Sequence, residues 1–346
     1  MESTATAVDS LLEGEILQAS NSDTLGDDRN PGPAARLNAV WRQKVVGWYF
    51  TVVAALRVRH SHSTAVDSSS GSIVSPSNRA SVHVAVSLLD NYLMSLPSER
   101  ALRYQHDRAA YQLLATTCLL LGLRLAQLDR SEATNANERA ATDPRPLKRA
   151  KTHRTNMHEA PAVAAARMAP ADVAIPNASA LLRLVDAPAS ISERRVASLA
   201  REMTGSPSFP RGKVVTALHF VAALRGARTR VAEDGSSLSL GPADAEVAVR
   251  LADASLGEST FLGLRPSVLA CAVVTLALGR SISINLQLPS IRQKVYKSIF
   301  GTEYDSHLQF LARKTESNLL GFIHVDALAS RNRLSTTHLI PMEDES

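Results

Sequence analysis

The chain has 346 residues, 45% of them apolar, 4% aromatic and 21% charged, with a net charge of +5. At about 150 residues per domain this length suggests two domains, and the apolar share can give each a core, which excludes a wholly disordered chain. The two cysteines, Cys118 and Cys271, each sit inside a long apolar run, so they read as buried packing residues and exclude a disulfide framework or a tetrahedral cysteine zinc site, while the scarcity of aromatics argues against a base-stacking surface or a barrel core and leaves helices rich in alanine and leucine.

The N-terminus lacks the charged-then-apolar order of a secretory signal, so an intracellular protein is expected. Residues 1–28 hold seven acids and no base; mixed with Ser, Asn, Gly and Pro, residues 1–35 read as a disordered acidic tail. A first helix is expected across RQKVVGWYFTVVAALRV, apolar at Val45, Trp48, Tyr49, Val52, Val53 and Leu56, the spacing of one helix face. The serine-rich stretch that follows, broken by Gly71 and Pro76, reads as a loop. VHVAVSLLDNYLMSLP gives a second helix, with Val82, Val86, Leu89, Leu93 and Leu96 on one side and Pro97 as its stop.

From Asp107 to Leu128 the sequence is apolar almost all round, which a helix tolerates when other helices enclose it. This is a hub. Residues 129–174 lose that pattern and read as an exposed, disordered insertion. SALLRLVDAP, SERRVASLAREMTG and GKVVTALHFVAALR then give three helical patterns. A second set runs from Pro242 to about residue 330, with Pro242, Pro266 and Pro289 at first-turn positions, where the missing N–H costs nothing. Its segment PSVLACAVVTLAL forms a second hub. The uncharged stretches Ala109 to Leu123 and Pro266 to Gly279 fall short of the ~18 apolar residues a membrane span needs and read as core helices. The expected organisation is a tail at 1–35, a first helical domain at 36–230 with its insertion at 129–174, a second at 240–330, and a flexible tail at 331–346. Two hubs with flanking amphipathic helices suggest a duplicated bundle.

Catalytic chemistry finds little support. The close pair His60 and His62 lies in the serine-rich loop without neighbouring acids or cysteines, and no GxSxG elbow occurs. Gly205 to Lys213 has the wrong glycine spacing for a phosphate loop, and Val214 stands where a magnesium-binding hydroxyl belongs. His219 reads as structural. No catalytic residue, metal site or cofactor is expected. The body of the chain is basic, with eleven bases against four acids over 29–128 and nineteen against thirteen over 175–342, which favours an acidic partner surface.

These segments together resemble the cyclin family. LLDNYLMSLP is similar to the second helix of a cyclin box and YQLLATTCLLLGLRLAQ to its third. FLGLRPSVLACAVVTLAL resembles the proline-started hub of the C-terminal repeat, and RQKVVGW the first helix with its arginine six residues before a tryptophan. Order and spacing agree over roughly 38–128 and 188–315. The resemblance implies an all-α protein of two tandem five-helix cyclin boxes. It also implies a non-enzymatic regulatory subunit that activates a cyclin-dependent serine/threonine kinase in cell-cycle control. Arg124 takes the position of a kinase-contacting lysine. The partner glutamate of the fifth helix falls on Ala217 or Leu218, neither acidic. Arg42 and Asp90 match a pair expected to bridge the first two helices. Trp41, Val45 and Trp48 fall where the family docks substrate or inhibitor peptides, with Lys44 replacing an apolar residue there and Gly47 an acid.

The basic run Lys148, Arg149 and Lys151 reads as a nuclear localisation signal on the insertion, giving a nuclear protein shared with the cytoplasm. The doubled bundle also resembles the DNA-gripping core of general transcription factor IIB, but the N-terminus has no cysteines for that family's zinc ribbon, so nucleic acid is not the expected partner, nor is a membrane. A cyclin-like scaffold without a kinase is a third reading.

Overall fold

The computed structural model describes residues 8, 10–15, 39–61, 76–142, 176–185, 187–188, 190–206, 209–210, 213–226, 240–281, 288–300 and 306–330. Of these, 86% are helical and none lies in a strand. Eleven α-helices follow a short N-terminal helical segment, residues 10–15. They are α1 (Ala39–Ser61), α2 (Pro76–Ser95), α3 (Ser98–His106), α4 (Arg108–Thr142), α5 (Ala178–Leu184) and α6 (Glu193–Gly205), then α7 (Ala217–Gly226), α8 (Pro242–Leu256), α9 (Pro266–Ser281), α10 (Leu288–Phe300) and α11 (Ser306–Ser330).

The helix starts are written in local chemistry. Asp107 caps α4 by accepting from the Ala110 N–H at 3.0 Å, and Asn177 caps α5 through the Ala180 N–H at 2.7 Å. At α7 the cap is reciprocal: the His219 N–H donates to the Thr216 carbonyl, while the Thr216 N–H donates to His219 Nδ1, each at 3.0 Å. This is half of a capping box: the third-position ring nitrogen accepts from the N-cap N–H, while the Thr216 hydroxyl lies 2.9 Å from the same nitrogen. The His219 ring thus holds the start of α7. Prolines open α8 and α9.

Two separate cores form. The first is built by α1, α2, α4, α5 and α6, the second by α7 to α11 together with the N-terminal segment. Val214 packs in the first and Val215 in the second, so the division falls before α7 and not near residue 230. The cause is Phe220, Val221 and Leu224 of α7, which face α8 and α9. Each core has its hub: α4 packs against α2, α3, α5 and α6, and α9 against α7, α8, α10 and α11. Arg108–Asp129 of α4 is long and apolar enough to cross a membrane, with 72% of its apolar window buried inside the bundle. Its apolar character is thus accounted for by enclosure. At Gly122 the α2 and α4 backbones almost touch; a Cβ there would lie 2.8 Å from Ala85 Cβ and 2.9 Å from the Ser81 carbonyl oxygen. Only glycine permits that crossing.

Several expectations change. Val8 and Leu11 of the expected acidic tail are buried in the second core, and Glu15 accepts from the Ser267 N–H at 3.2 Å, at the start of α9. A carboxylate there satisfies an otherwise orphaned donor of the helix terminus. The hub helix continues to Thr142, through the first part of the expected insertion, because alanine, glutamate and arginine between 129 and 142 favour helix. On α1 it is Val46, with Tyr49, Val53 and Leu56, that enters the core, while Val45 stays half-exposed. α2 is buried on nearly every side, since α1 and α4 cover one part of it and α8 of the second core covers another.

Polar groups tie the two cores together across α2 and α8. Asp253 of α8 accepts from Arg79 at 2.7 Å and lies 2.9 Å from His83 Nε2. Within the second core, buried Glu316 of α11 accepts from Arg292 at 2.7 Å and from the Tyr296 hydroxyl at 3.0 Å. Burial raises the Glu316 pKa despite the opposing pull of Arg292 and the Tyr296 hydrogen bond. A carboxyl with a raised folded pKa contributes most to stability below its unfolded value, and loses that contribution as pH climbs through the folded value. Glu316→Gln keeps an acceptor for Tyr296 and cannot ionise. Thermal unfolding of both chains between pH 4 and pH 7 should therefore show the variant gaining on the wild type as pH rises; a constant or shrinking difference would refute this reading of Glu316.

Candidate functional site

The helical face of α1 that does not enter the core carries Trp41, Val45 and Trp48 at intervals of four and three residues, so the three share one stripe. The adjacent stripe, Arg42, Val46 and Tyr49, is buried. The Tyr49 hydroxyl donates to the Ala115 carbonyl of α4 at 2.8 Å and fixes how α1 lies across the hub. With its inner face so fixed, α1 leaves its tryptophan stripe along the edge of α4.

A groove of about 310 Å³ follows, with α1 as one wall, Arg108, Tyr111, Gln112 and Thr116 of α4 as floor and far rim, and the Val185 to Ile191 connection as the third side. The Trp41 and Tyr111 rings meet at 5.5 Å between centroids, tilted by 50°. All three docking residues expected from the sequence line this groove. The α4 and α5–α6 walls were missed. A signal for the α4 wall existed: Arg108, Gln112 and Thr116 recur every fourth residue in a helix otherwise almost wholly apolar up to Leu123, which marks one polar stripe on an enclosed rod. The connection at 185–191 carries no such pattern.

Arg42 and Asp90 are brought together at a second, smaller cavity of about 110 Å³ lined from both cores. The guanidinium, 3% exposed, donates to the carboxylate through Nη2 at 2.7 Å and Nε at 3.2 Å. Its third nitrogen reaches the second core, where it donates to the Leu256 carbonyl and, at 3.2 Å, to that of Glu258. Burial works against the charge, but Asp90 more than offsets it, so the Arg42 pKa is raised. This pair does more than join the first two helices: it reaches across to the end of α8.

Arg124 lies on the exposed face well inside α4, not at a helix end, and among the described residues it has no hydrogen-bond or ion-pair partner. Leu128, one turn on, is 58% exposed. Ala217 and Leu218 are buried in the second core, so neither can serve as a surface contact. Lys148, Arg149 and Lys151 lie outside the described residues. No group of three or more metal-ligating side chains occurs among the described residues.

Compared with known proteins, the chain matches no family model, no curated protein and no solved structure.

The floor of the groove contains one orphan. The Tyr111 hydroxyl is buried without a hydrogen-bond partner, and burial, with Asp90 adding to it and Arg42 opposing, holds its pKa above the ordinary phenol range. A buried hydroxyl left unpaired costs ~1–3 kcal/mol. Tyr111→Phe keeps the ring against Trp41 and deletes the orphan, so it should stabilise the chain by about 1 kcal/mol in denaturant unfolding; a loss of stability would mean the hydroxyl has a partner.

Proposed function

We propose that this protein is a cyclin-like regulatory subunit, which binds and activates a cyclin-dependent serine/threonine kinase in cell-cycle control and carries out no reaction of its own. The observation that supports this reading is the pair of successive helical groups, α1 to α6 and then α7 to α11, each packed round one enclosed hub and tied together by Arg42. The segments that resemble the family's helices fall in order on α1, α2, α4 and α9.

A rigid doubled bundle suits such a task. Activation of this kind is a population shift, in which contact energy along one helical surface selects the kinase conformation whose catalytic ion pair is formed. Arg124 and Leu128 of α4 supply the cation and the apolar anchor of that surface. In this reading the acidic contact expected of the fifth helix is lost, its position falling on Ala217 or Leu218, so the apolar contacts carry more of the pairing. The tryptophan groove recruits substrate or inhibitor peptides to the assembled pair. Nuclear entry through Lys148, Arg149 and Lys151 completes the proposal.

Removal of one partner from a charged contact typically costs ~2–5 kcal/mol. Affinity capture with mass spectrometry should recover a protein kinase with the intact chain and lose most of it, tenfold or more, on Arg124→Glu. If no kinase is recovered with the intact chain and DNA is retained with a steep salt dependence, the transcription-factor reading takes its place.

A further inference from the structure

We propose that the N-terminal helical segment, residues 10–15 together with Val8, is a detachable strap that locks the passage between the two cores and walls the cavity beside Arg42 and Asp90. This role is independent of the kinase reading given above.

Val8 and Leu11 are buried in the second core, while Ser10 and Glu13 face outward. Gly14 lies so close to Val215 that a Cβ on it would fall 2.9 Å from Val215 Cγ2. Val214 belongs to the first core and Val215 to the second, so the segment rests on the chain at the point where it passes from one core to the other. One residue on, buried Glu15 accepts from the Ser267 N–H at the start of α9. The same Glu15 lines the cavity of about 110 Å³ between the groups, together with Arg42 and Asp90 of the first and Ala217 and Leu256 of the second.

Chain connectivity gives this seat its consequence. The segment is docked on the second core, yet the chain that leaves it enters α1 of the first core at Ala39. The two groups are therefore joined by chain twice, through residues 16–38 and between α6 and α7, and seating of the segment closes the ring. Tethering makes the contact intramolecular, which raises its effective concentration to roughly the millimolar range. So short a helix has little stability of its own in water, so its order depends on the seat, and it can open locally while both hubs stay folded. Release opens the cavity from the Glu15 side and frees the passage at Val215.

Thiol labelling of the full chain tests this, with a quiet background, because Cys118 of the first core and Cys271 of the second are both 0% exposed. Ala217→Cys places a thiol in the cavity wall at a position that is itself buried. Combined with it, Leu11→Asp removes an apolar anchor of the strap. Independently, Gly14→Val blocks the seat, since the stiff, β-branched Val215 cannot swing away from the added side chain. Each should speed labelling at position 217 by about tenfold or more, with Cys118 still protected. In the wild type, hydrogen exchange across Leu11–Glu15 should be faster than across α9.

Unchanged labelling at position 217 in both variants would overturn the strap as a wall of the cavity. Labelling of Cys118 at the same accelerated rate would make the segment part of one cooperative fold and overturn its detachment. Wild-type exchange in the segment as slow as in α9 would overturn it equally. Should Leu11→Asp fail to fold, Gly14→Val and the wild-type exchange still decide.

Discussion

A buried guanidinium must have every donor answered, and Arg42 finds its acceptors in three places: the carboxylate of Asp90 on α2, and the carbonyls of Leu256 and Glu258 at the end of α8. Because α1 carries this side chain in its buried stripe, one charge fixes the rotation of α1, its seat on α2, and the approach of the second core. Asp253, held by Arg79 and near His83, makes a second tie a few turns along the same junction. Arg79 and Asp253 are partly exposed, while His83 is buried. In the Arg42 pair the guanidinium is the buried member, 3% exposed, and loss of one partner from a buried pair costs ~3–5 kcal/mol.

The groove is a consequence of that constraint. Once Arg42, Val46 and Tyr49 are committed inward, the helical repeat places Trp41, Val45 and Trp48 about 100° away, along the edge of α4. Those rings cannot also enter a core that α2 and α4 already fill, and the close crossing at Gly122 leaves no slack to admit them. They remain half-buried, apolar and reachable. The same logic holds at the outer surface of the hub, where enclosure by α2, α3, α5 and α6 accounts for the apolar residues up to Leu123, while Arg124 and Leu128 project beyond it.

Much of this was legible in the sequence, for physical reasons. Enclosed helices must be apolar all round, so both hubs announce themselves, and proline at a first turn marks the starts of α8 and α9. Arg42 and Asp90 could be paired because the family resemblance implies that pair, and a charge between packed helices needs such a counter-charge. What escaped had weak local signals. The N-terminal segment does carry apolar residues at helical spacing in its sequence, Val8, Leu11, Leu12 and Ile16, but its acidic composition masks that pattern, and Val8 and Leu11 are packed in the second core. The allegiance of α7 is decided by which neighbours its apolar face meets, which no single helix encodes. Val45 and Val46 are adjacent in sequence and chemically identical; burial of the latter follows from tertiary context alone. The 185–191 wall of the groove is a connection without a repeating pattern.

The central claim is that Arg42 holds the two helical groups to each other as well as α1 to α2. Hydrogen exchange on Arg42→Met beside the wild type measures this directly, since methionine keeps much of the bulk and removes every donor. The account predicts faster exchange on both sides of the junction, in α1 and α2 and also at the end of α8 through the short 3₁₀ turn Ser259–Phe261. Loss of protection confined to the first group, with the end of α8 unchanged, would contradict it.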